Sequence, residues 1–423
     1  MNDQSRIAAL SKTMRSNGKP GAIVLGGAHG SLAVVRSLGR HGIPVCVVTH
    51  DNPIAKFSRY ATYKLSWPGP THPDALTFLL RQTGASTRVD LSGWMLFTGG
   101  DAEAEFVARN YAELSAVFRV TGPDWPSAKW AFDKHLTYER AAELGVDCPW
   151  SLYPRGRDEV AALDCRFPVI LKPTVKDRPN AFTLAKAWRV DDRAELIARY
   201  DLAVSLVGEK AIVLQELIPG DGSKQFSYAA AWYRGAPLAS LVARRTRQYP
   251  IDFGYTSTLV ETIDEPEVEK AAVTFLKSLD YTGLVEVEFK FDERDRRYKI
   301  LDVNARAWTW TALGGSAGVD FPWLLWRATM GKVGPVLRGR PHATWIHLAR
   351  DVVAAGQLLP RGGISFDAYP KALRGTIVFA AFAMDDPMPG IIDLPLTVWR
   401  TLHTRLPLAL RARQGKYDQS IAP

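Results

Sequence analysis

The sequence has 423 residues, of which 47% are hydrophobic and 23% are charged, and its net charge is +9. A chain of this length is expected to form two or three domains with buried cores, and its composition excludes disordered, collagen-like and low-complexity chains. The three scattered cysteines exclude a disulfide framework and a CxxC metal site, and they favour a reducing, cytoplasmic setting. Because the basic residues are spread along the chain, the positive charge fits a protein that binds phosphates or carboxylates as well as one that binds nucleic acid.

The first elements in the chain predict a parallel α/β unit. Residues 1–20 are polar, lack the apolar core of a signal peptide and are expected to form a tail. Residues 21–50 predict a strand, a glycine-rich turn at 26–31, a helix and a second strand, and this βαβ order implies a parallel sheet. The turn departs from the GxGxxG pattern, so Asp51 is the main support for a dinucleotide-binding interpretation. No stretch of the sequence reaches the roughly 20 apolar residues of a membrane span.

A further strand and two helices follow. Residues 94–98 predict a strand that ends near Asp101, and residues 102–115 predict a helix. A second helix is expected over 127–146, with Lys134 near its start. A cation at a helix start opposes the helix dipole, so this placement makes sense where an anion lies nearby.

Two apolar strands in the middle of the chain end in polar side chains. Residues 167–173 predict a buried strand that ends in Lys172, a position where a cation usually faces a ligand or a carboxylate. Residues 211–214 predict a strand that continues into Gln215 and then a Pro-Gly turn. Such a segment can offer backbone groups to a flat heterocycle, although an inter-domain linker would have the same pattern.

A hairpin with an arginine-rich end comes next. Residues 226–232 and 237–243 predict its two strands, and Arg244, Arg245 and Arg247 follow the second. Arginine suits phosphate and carboxylate binding because its planar donors match their oxygens. The alternative is the solvated end of an edge strand.

A second hairpin carries the acidic residues that point to metal chemistry. Residues 284–291 and 298–303 predict two strands separated by a charged turn. Alternation places Glu286 and Glu288 on one face of the first strand, and Asp302 and Asn304 on one face of the second. If the strands pair, Glu288, Asp302 and Asn304 converge as oxygen ligands suited to Mg²⁺. An exposed face with ordinary charges is the alternative interpretation.

Taken in order, these segments resemble the ATP-grasp superfamily of ligases, and in particular its bacterial carboxylate–amine ligase group. The resembling motifs are Asp133-Lys134, Phe167–Pro173, Val213–Gly220, Gly283–Phe289 and Leu301–Arg306. The group also shares the glycine-rich start of the chain and an R-Q-x-P segment, here residues 247–250. The resemblance implies a mixed α/β and α+β chain with the ATP-grasp fold and an N-terminal Rossmann-like domain. The implied divisions are a tail (1–20), the Rossmann-like domain (21–125), a small lid subdomain (126–210), a C-terminal grasp subdomain (211–330) and an appendage (331–423).

The resemblance also implies the residues of the site. Those expected to contact ATP are Lys134 and Lys172 at the phosphates, Gln215, Glu216 and Ile218 at the adenine, and Asp221 or Gln225 at the ribose. Those expected to bind two Mg²⁺ ions, for which Mn²⁺ can substitute, are Glu288, Asp302 and Asn304. Those expected to act in catalysis are Arg306, Arg245 and Lys172.

The implied activity is ADP-forming ligation. ATP phosphorylates a carboxylate to an acyl phosphate, and an amine then displaces the phosphate to form an amide. The sequence departs from the family pattern in two places: the loop after Lys172 lacks the usual glycines, with Lys176, Arg178 or Lys186 as substitutes, and Asp302 replaces a glutamate. Two alternatives therefore stay open, a catalytically degenerate ATP-binding protein and, less favoured, a NAD-type oxidoreductase that uses residues 21–51.

The expected partners are small molecules. Asp101 and the turn at 26–31 are candidates for the acceptor pocket, and no nucleic acid is expected. The apolar-basic residues 395–416 predict a helix that packs on the body, with contact to an anionic membrane surface as the alternative. A cytoplasmic location is expected, and homodimers are common among such ligases, although the sequence leaves the oligomeric state open.

Overall fold

The computed structural model describes residues 20–84, 87, 89–174, 180–185, 187–249, 256–361, 364, 369, 373 and 375–400. These residues form two compact units. The first contains residues 20–147, Asp221–Phe291 and Ile300–Asp393, and the second contains Cys148–Gly220, Asp292–Lys299 and residues 394–400. No helix within these ranges is long and apolar enough to cross a lipid bilayer. The domain boundaries inferred from the sequence stay predictions.

The described elements are numbered in chain order. The strands are β1 (Ala22–Leu25), β2 (Val45–Thr49), β3 (Ala61–Ser66), β4 (Met95–Thr98), β5 (Arg119–Val120), β6 (Ser151–Leu152), β7 (Val169–Pro173), β8 (Trp188–Val190), β9 (Ile212–Glu216), β10 (Gln225–Tyr233), β11 (Ala236–Tyr249), β12 (Thr256–Ile263), β13 (Gly283–Asp292), β14 (Arg297–Asn304), β15 (Leu337–Arg338), β16 (Ala343–Ile346) and β17 (Thr376–Phe379). The α-helices are α1 (His29–Arg40), α2 (Ala75–Leu80), α3 (Asp101–Arg109), α4 (Tyr111–Ser115), α5 (Trp125–Phe132), α6 (Lys134–Glu143), α7 (Arg157–Ala162), α8 (Ala181–Ala185), α9 (Arg193–Val207), α10 (Pro266–Lys277), α11 (Leu313–Ser316), α12 (Phe321–Thr329), α13 (Leu348–Leu358) and α14 (Met388–Arg400).

The first unit begins with a parallel sheet in the order β3-β2-β1-β4-β5. Every pair of neighbours in it is parallel, which confirms the expectation drawn from the βαβ pattern. Strands β1 and β2 are buried along their whole length, as their apolar sequences require. Strands β2 and β3 lie on one side of β1, and the chain then crosses to the other side to form β4 and β5. In parallel sheets, the carboxyl ends of the two strands at such a switch, here β1 and β4, form a crevice that binds ligands.

The glycine-rich turn after β1 fits closely against another part of the same unit. Gly26 has a φ of +98°, a conformation that favours glycine. A Cβ atom on Gly30 would lie 2.8 Å from the carbonyl oxygens of both Ala307 and Trp308. The turn therefore lies directly against the segment that follows β14.

The first unit also contains a large, mainly antiparallel sheet in the order β14-β13-β10-β11-β12-β16-β17, with β15 paired to β11. Helix α10 packs through Val268, Ala272, Phe275 and Leu276, which are fully buried and form its apolar face. The predicted pairing of the strands on either side of the charged turn is confirmed, because β13 and β14 are neighbours in this sheet.

The second unit is built on the antiparallel sheet β6-β9-β7-β8. Its core is formed by the apolar residues of these strands together with those of helices α7, α8 and α9, including Val160, Leu171, Phe182, Leu196 and Leu214. The predicted buried strand that ends in a lysine is β7, and the strand that continues into Gln215 is β9.

Two predicted helices are each split in the structure. The helix expected over 127–146 is instead α5 and α6, because Asp133 leaves the helical conformation and its carboxylate accepts hydrogen bonds from the backbone of His135 and Leu136. The helix expected over 102–115 is α3 and α4, with the break at Asn110, whose backbone N–H bonds to the carbonyl of Phe106.

Candidate active site

Strands β13 and β14 bring two carboxylates and an amide together in the first unit. The Nδ2 atom of Asn304 lies 3.1 Å from Oε1 of Glu288 and 3.2 Å from Oε2 of Glu286. Glu286 is buried, and the hydroxyl of Ser227 on β10 donates to its other oxygen at 2.9 Å. The alternation predicted from the sequence is thus observed, and it places Glu286 in the cluster as well as Glu288.

Two arginines form hydrogen bonds with this cluster. Arg245 donates from Nη2 to Oε2 of Glu288 at 3.2 Å and from Nη1 to the side-chain oxygen of Gln225 at 2.7 Å. Arg306 donates from Nη2 to Oδ1 of Asn304 at 2.9 Å. Glu288 and Asn304 are therefore each bonded to a guanidinium group.

Arg306 also connects the cluster to the parallel sheet of the same unit. Its Nε and Nη2 atoms bond to the two carboxylate oxygens of Asp101 at 2.5 and 3.0 Å. The backbone N–H of Ala307 bonds to the carbonyl of Thr98 at the end of β4, at 3.0 Å. The segment after β14 is thus fixed to the crevice side of the parallel sheet, where the sequence predicted part of an acceptor pocket.

Lys134 and Asp302 form the third part of the arrangement. The Nζ atom of Lys134 lies 2.7 Å from Oδ2 of Asp302 and donates to the carbonyl of Leu301 at 3.1 Å. Desolvation lowers the pKa of Lys134, but interactions with Asp302 and then Tyr138 outweigh it, and its pKa is raised. The anion expected beside this helix-start lysine is therefore Asp302.

The electrostatics of the site distinguish Glu286 from Asp302. Burial raises the pKa of Glu286 to about 8, and the negative charge of Glu288 adds to this rise. Desolvation raises the pKa of Asp302, but Lys134 outweighs it and the pKa is lowered overall. Asp302 is therefore the charged carboxylate, while Glu286 binds a proton more readily.

The donor atoms of this cluster fit Mg²⁺. The atoms able to bind a metal ion are carboxylate and amide oxygens, with no thiolate or imidazole among them. A hard divalent cation prefers such oxygen ligands. Arg245, Arg306 and Lys134 lie at the same site. A phosphate or carboxylate group bound there would contact these positively charged side chains as well as a metal ion. This combination can neutralise and orient a transferring phosphoryl group.

The other arginines at the end of β11 have different partners. A bulge between Arg245 and Arg247 shifts the register with β12. Arg247 is buried and forms a two-pronged ion pair with Asp351 of α13, at 2.9 and 2.8 Å. Arg244 pairs with Glu261 on β12. The structure thus brings only Arg245 of these three to the described acidic cluster.

In the second unit, Lys172 lies on β7 beside β9. Its Nζ atom donates to Oε1 of Gln215 at 2.6 Å, and Nε2 of Gln215 donates to the hydroxyl of Ser151 at 2.9 Å. The carboxylate of Glu216 accepts bonds from Arg294 at 2.6 Å and from Lys299 at 3.0 and 3.1 Å. The side chain of Glu216 is therefore engaged in ion pairs.

The remaining predicted residues are Ile218, Asp221 and Gln225, together with several that lie outside the described ranges. Ile218 is buried, with 3% of its surface exposed, and the carboxylate of Asp221 accepts bonds from the backbone and hydroxyl of Ser223. Gln225 is bonded to Arg245, as stated above. The structure does not describe Lys176, Arg178, Lys186, Pro250 or residues 401–416.

Sequence reasoning did not assign Glu286 or the partner of Arg306. The alternation in β13 placed Glu286 on the face of Glu288, but its burial depends on β10, which is far away in the sequence. Asp101 and Arg306 were singled out separately, and nothing local to either residue predicts that they meet across 205 positions.

Known proteins resemble this chain in sequence and in fold. No protein-family model matches the chain. Over 228 residues the chain is 25% identical to a D-aspartate ligase of Enterococcus faecium (strain Aus0004), a match that covers 50% of this chain and 53% of the relative. The match thus spans about half the length of that curated relative.

Solved structures resemble the chain over a larger share of its length. The L-amino acid ligase of Bacillus licheniformis superposes with a TM-score of 0.55 at 16% identity and covers 76% of this chain and 78% of its own. The biotin carboxylase domain of the Hydrogenobacter thermophilus 2-oxoglutarate carboxylase, solved with MgADP, superposes with a TM-score of 0.58 at 15% identity. This match covers 78% of this chain and 74% of the other chain. The match confirms the fold that the order of sequence motifs predicted. The chain has the ATP-grasp fold.

Proposed function

We propose that this chain is an ATP-dependent carboxylate–amine ligase that forms an amide through an acyl phosphate and releases ADP and phosphate. The observation that carries the proposal is the cluster of Glu288, Asn304, Arg245 and Arg306 in a chain with the ATP-grasp fold. Similarity to a D-aspartate ligase and to an L-amino acid ligase supports amino acids as one substrate class. A NAD-type oxidoreductase, which rests on residues 21–51, would leave this cluster without a role.

The proposed chemistry has two steps. A carboxylate oxygen of the first substrate attacks the γ-phosphorus of ATP, the bond from that phosphorus to the β–γ bridging oxygen breaks, and ADP leaves. The amine nitrogen of the second substrate then attacks the acyl carbon, phosphate leaves, and the nitrogen loses a proton. Both steps depend on positioning and on neutralised charge rather than on a covalent bond to the protein.

The residues of the first unit would provide this charge balance. Glu288, Asp302 and Asn304 would hold Mg²⁺, which neutralises and orients the phosphates when bound. Arg306 and Arg245 would hold the anionic oxygens of the phosphoryl group or of the substrate carboxylate. Binding of two ions, and replacement of Mg²⁺ by Mn²⁺, belong to the same proposal.

The nucleotide contacts are proposed from the resemblance. Lys134 and Lys172 would contact the phosphates, and the backbone of Glu216 and Ile218, together with Gln215, would contact the adenine. Asp221 or Gln225 would contact the ribose. A cytoplasmic location and a homodimer also remain proposals, and light scattering on the purified protein would measure the second.

The experiment that tests the ligase is ADP release from Mg²⁺-ATP in the presence of pooled amino acids, small carboxylates and amines. We expect ADP release that depends on one of the pools. It should fall by at least about 100-fold in Asn304→Ala, which loses the amide that bonds to Glu286, Glu288 and Arg306. The matched control is Asn110→Ala, which removes a side-chain amide that, among the described residues, bonds to the carbonyl of Phe106 in the preceding helix α3. ATP binding without release in any pool would instead indicate a degenerate nucleotide-binding protein.

A further inference from the structure

Away from the acidic cluster, three buried polar side chains of the first unit meet at one point. They are His29 at the start of α1, His347 directly after β16, and Asp393 within α14. Their exposed fractions are 6%, 1% and 8%. We call them the His–His–Asp cluster. Their sequence separations are large, so the fold rather than local sequence brings them together.

We propose that the His–His–Asp cluster binds a divalent transition-metal ion, with Zn²⁺ as the ion that fits it best. Nε2 of His29 lies 3.0 Å from one carboxylate oxygen of Asp393, and Nε2 of His347 lies 3.5 Å from the other. All three groups offer an atom within 4.8 Å of the others. A tetrahedral Zn²⁺ with bonds of about 2.0–2.1 Å separates its ligand atoms by about 3.3 Å, so small side-chain shifts would complete the site.

An unpaired nitrogen points to a ligand at this place. Nε2 of His347 has no hydrogen-bond partner among the residues that the structure describes, although the side chain is almost completely buried. A buried ring nitrogen without a partner carries a cost that a metal ion would remove.

The identity of the ion follows from the donor set. Two imidazoles and one carboxylate favour Zn²⁺ and similar ions over Mg²⁺, which prefers oxygen ligands. Arg350 is the other charged group that acts on both His347 and Asp393, and its positive charge opposes the ion. The carboxylate offsets part of that repulsion. Three protein ligands leave a fourth position for water, and the ion would link α1, β16 and α14 within the first unit.

The test is a Zn²⁺ titration of the chelator-treated full chain against a chromophoric chelator, with excess Mg²⁺ present to fill oxygen-rich sites. We expect one tight Zn²⁺ per chain, weakened at least about 100-fold in Asp393→Asn and in His347→Gln. The matched control, His72→Gln, removes a histidine with 48% of its side chain exposed and should bind as wild type does. Absence of tight binding, or binding unchanged in both cluster variants, would overturn the proposal.

A second measurement does not depend on the variants folding. X-ray absorption of the Zn²⁺-loaded wild-type chain should show two imidazole nitrogens with low-atomic-number oxygen ligands. A sulfur ligand, or a shell of oxygens without imidazole, would place the ion elsewhere and contradict the assignment. Neither measurement uses ligase activity, so failure of the ligase proposal would not affect the result.

Discussion

At the residue scale, Asn304 joins two carboxylates to a guanidinium group. Its amide nitrogen contacts Glu286 and Glu288, and its oxygen accepts from Arg306. A side chain that is both donor and acceptor can hold acids and bases in one cluster, which neither a carboxylate nor an alkyl group can do. The position is therefore the most informative one for testing the proposed Mg²⁺ site.

We expect Asn304→Asp to make the chain less stable and more dependent on Mg²⁺. The variant replaces two donated hydrogen bonds by a carboxylate facing Glu286 and Glu288, which should cost about 1–3 kcal/mol. Mg²⁺ should recover part of that loss, because the added charge increases attraction for a cation. Thermal unfolding with and without Mg²⁺ measures both effects, and Asn110→Asp is the control. An equal Mg²⁺ response in wild type and Asn304→Asp would count against metal binding here.

A buried ion pair provides a second residue-scale prediction. Arg247 and Asp351 have side-chain exposures of 4% and 0%, and the hydroxyl of Thr258 adds a third bond to the carboxylate. Asp351→Ala leaves the arginine buried without its partner, so a loss of about 3–5 kcal/mol is expected.

Urea unfolding followed by tryptophan fluorescence measures this loss. Glu105→Ala is the control, because it breaks the exposed pair with Arg109 in the same unit and should cost no more than about 0.5 kcal/mol. Similar urea midpoints for the two variants would show that the ion pair between Arg247 and Asp351 does not stabilise the folded chain.

At the element scale, the turn between β13 and β14 is anchored by ion pairs of the second unit. Asp292 is fully buried, and Arg294 and Lys299 both bond to it and to Glu216 of β9. The Arg294 guanidinium, and then Lys299, lower the pKa of Asp292 against an opposing effect of desolvation. The charged turn is therefore partly buried.

This anchoring predicts acid sensitivity. Because the pKa of Asp292 is lower in the folded chain than its unfolded value of about 3.9, its stabilising effect is complete above that pH and is lost as the pH falls below it. Asp292→Asn should destabilise the chain at neutral pH by on the order of 3 kcal/mol. The difference from wild type should shrink as the pH is lowered through about 4.

Unfolding midpoints across pH measure that difference. Asp164→Asn, an exposed change in the same unit, is the control and should show no comparable dependence. A constant difference between Asp292→Asn and wild type at all pH values would show that the charge of Asp292 does not stabilise the turn.

Elements whose signals are local could be predicted from the sequence, and pairings over long distances could not. The β1–α1–β2 unit and the β13–β14 hairpin follow from periodicity over a few residues. The partner of Arg247 lies 104 positions away and depends on a bulge in β11. Asp133 was seen as part of a motif, but its role in ending α5 and capping α6 depends on backbone geometry.

At the scale of the whole molecule, the order of motifs was more informative than any one motif. Lys172, Gln215 and Glu288 have ordinary alternatives when taken singly, but their order predicted a fold that structures covering about three quarters of the chain confirm. The His–His–Asp cluster had no such order to reveal it, because its ligands come from both ends of the first unit. Fold can thus be inferred from sequential motifs, whereas a site assembled from distant residues requires coordinates.

The nucleotide contacts proposed for Lys172 and for Asn304 should differ in their dependence on Mg²⁺. A bound ligand stabilises a folded chain by RT ln(1 + [L]/Kd), or about 2.7 kcal/mol at 100 times Kd. Lys172→Met, in the second unit, should weaken the thermal stabilisation by ATP even without Mg²⁺, because it removes a cation proposed to contact phosphate. Asn304→Ala, in the first unit, should lose the additional stabilisation that Mg²⁺ gives while keeping much of the effect of ATP alone.

Lys210→Met is the matched control for the first of these variants, since Lys210 is an exposed lysine of the same unit. Its response to ATP should equal that of wild type. If Lys172→Met also responds as wild type does, the lysine serves only to hold Gln215, to which it bonds at 2.6 Å. The adenine contacts proposed for β9 would then have to be assigned independently of Lys172, while the Mg²⁺ assignment of the first unit would stand on the Asn304 result.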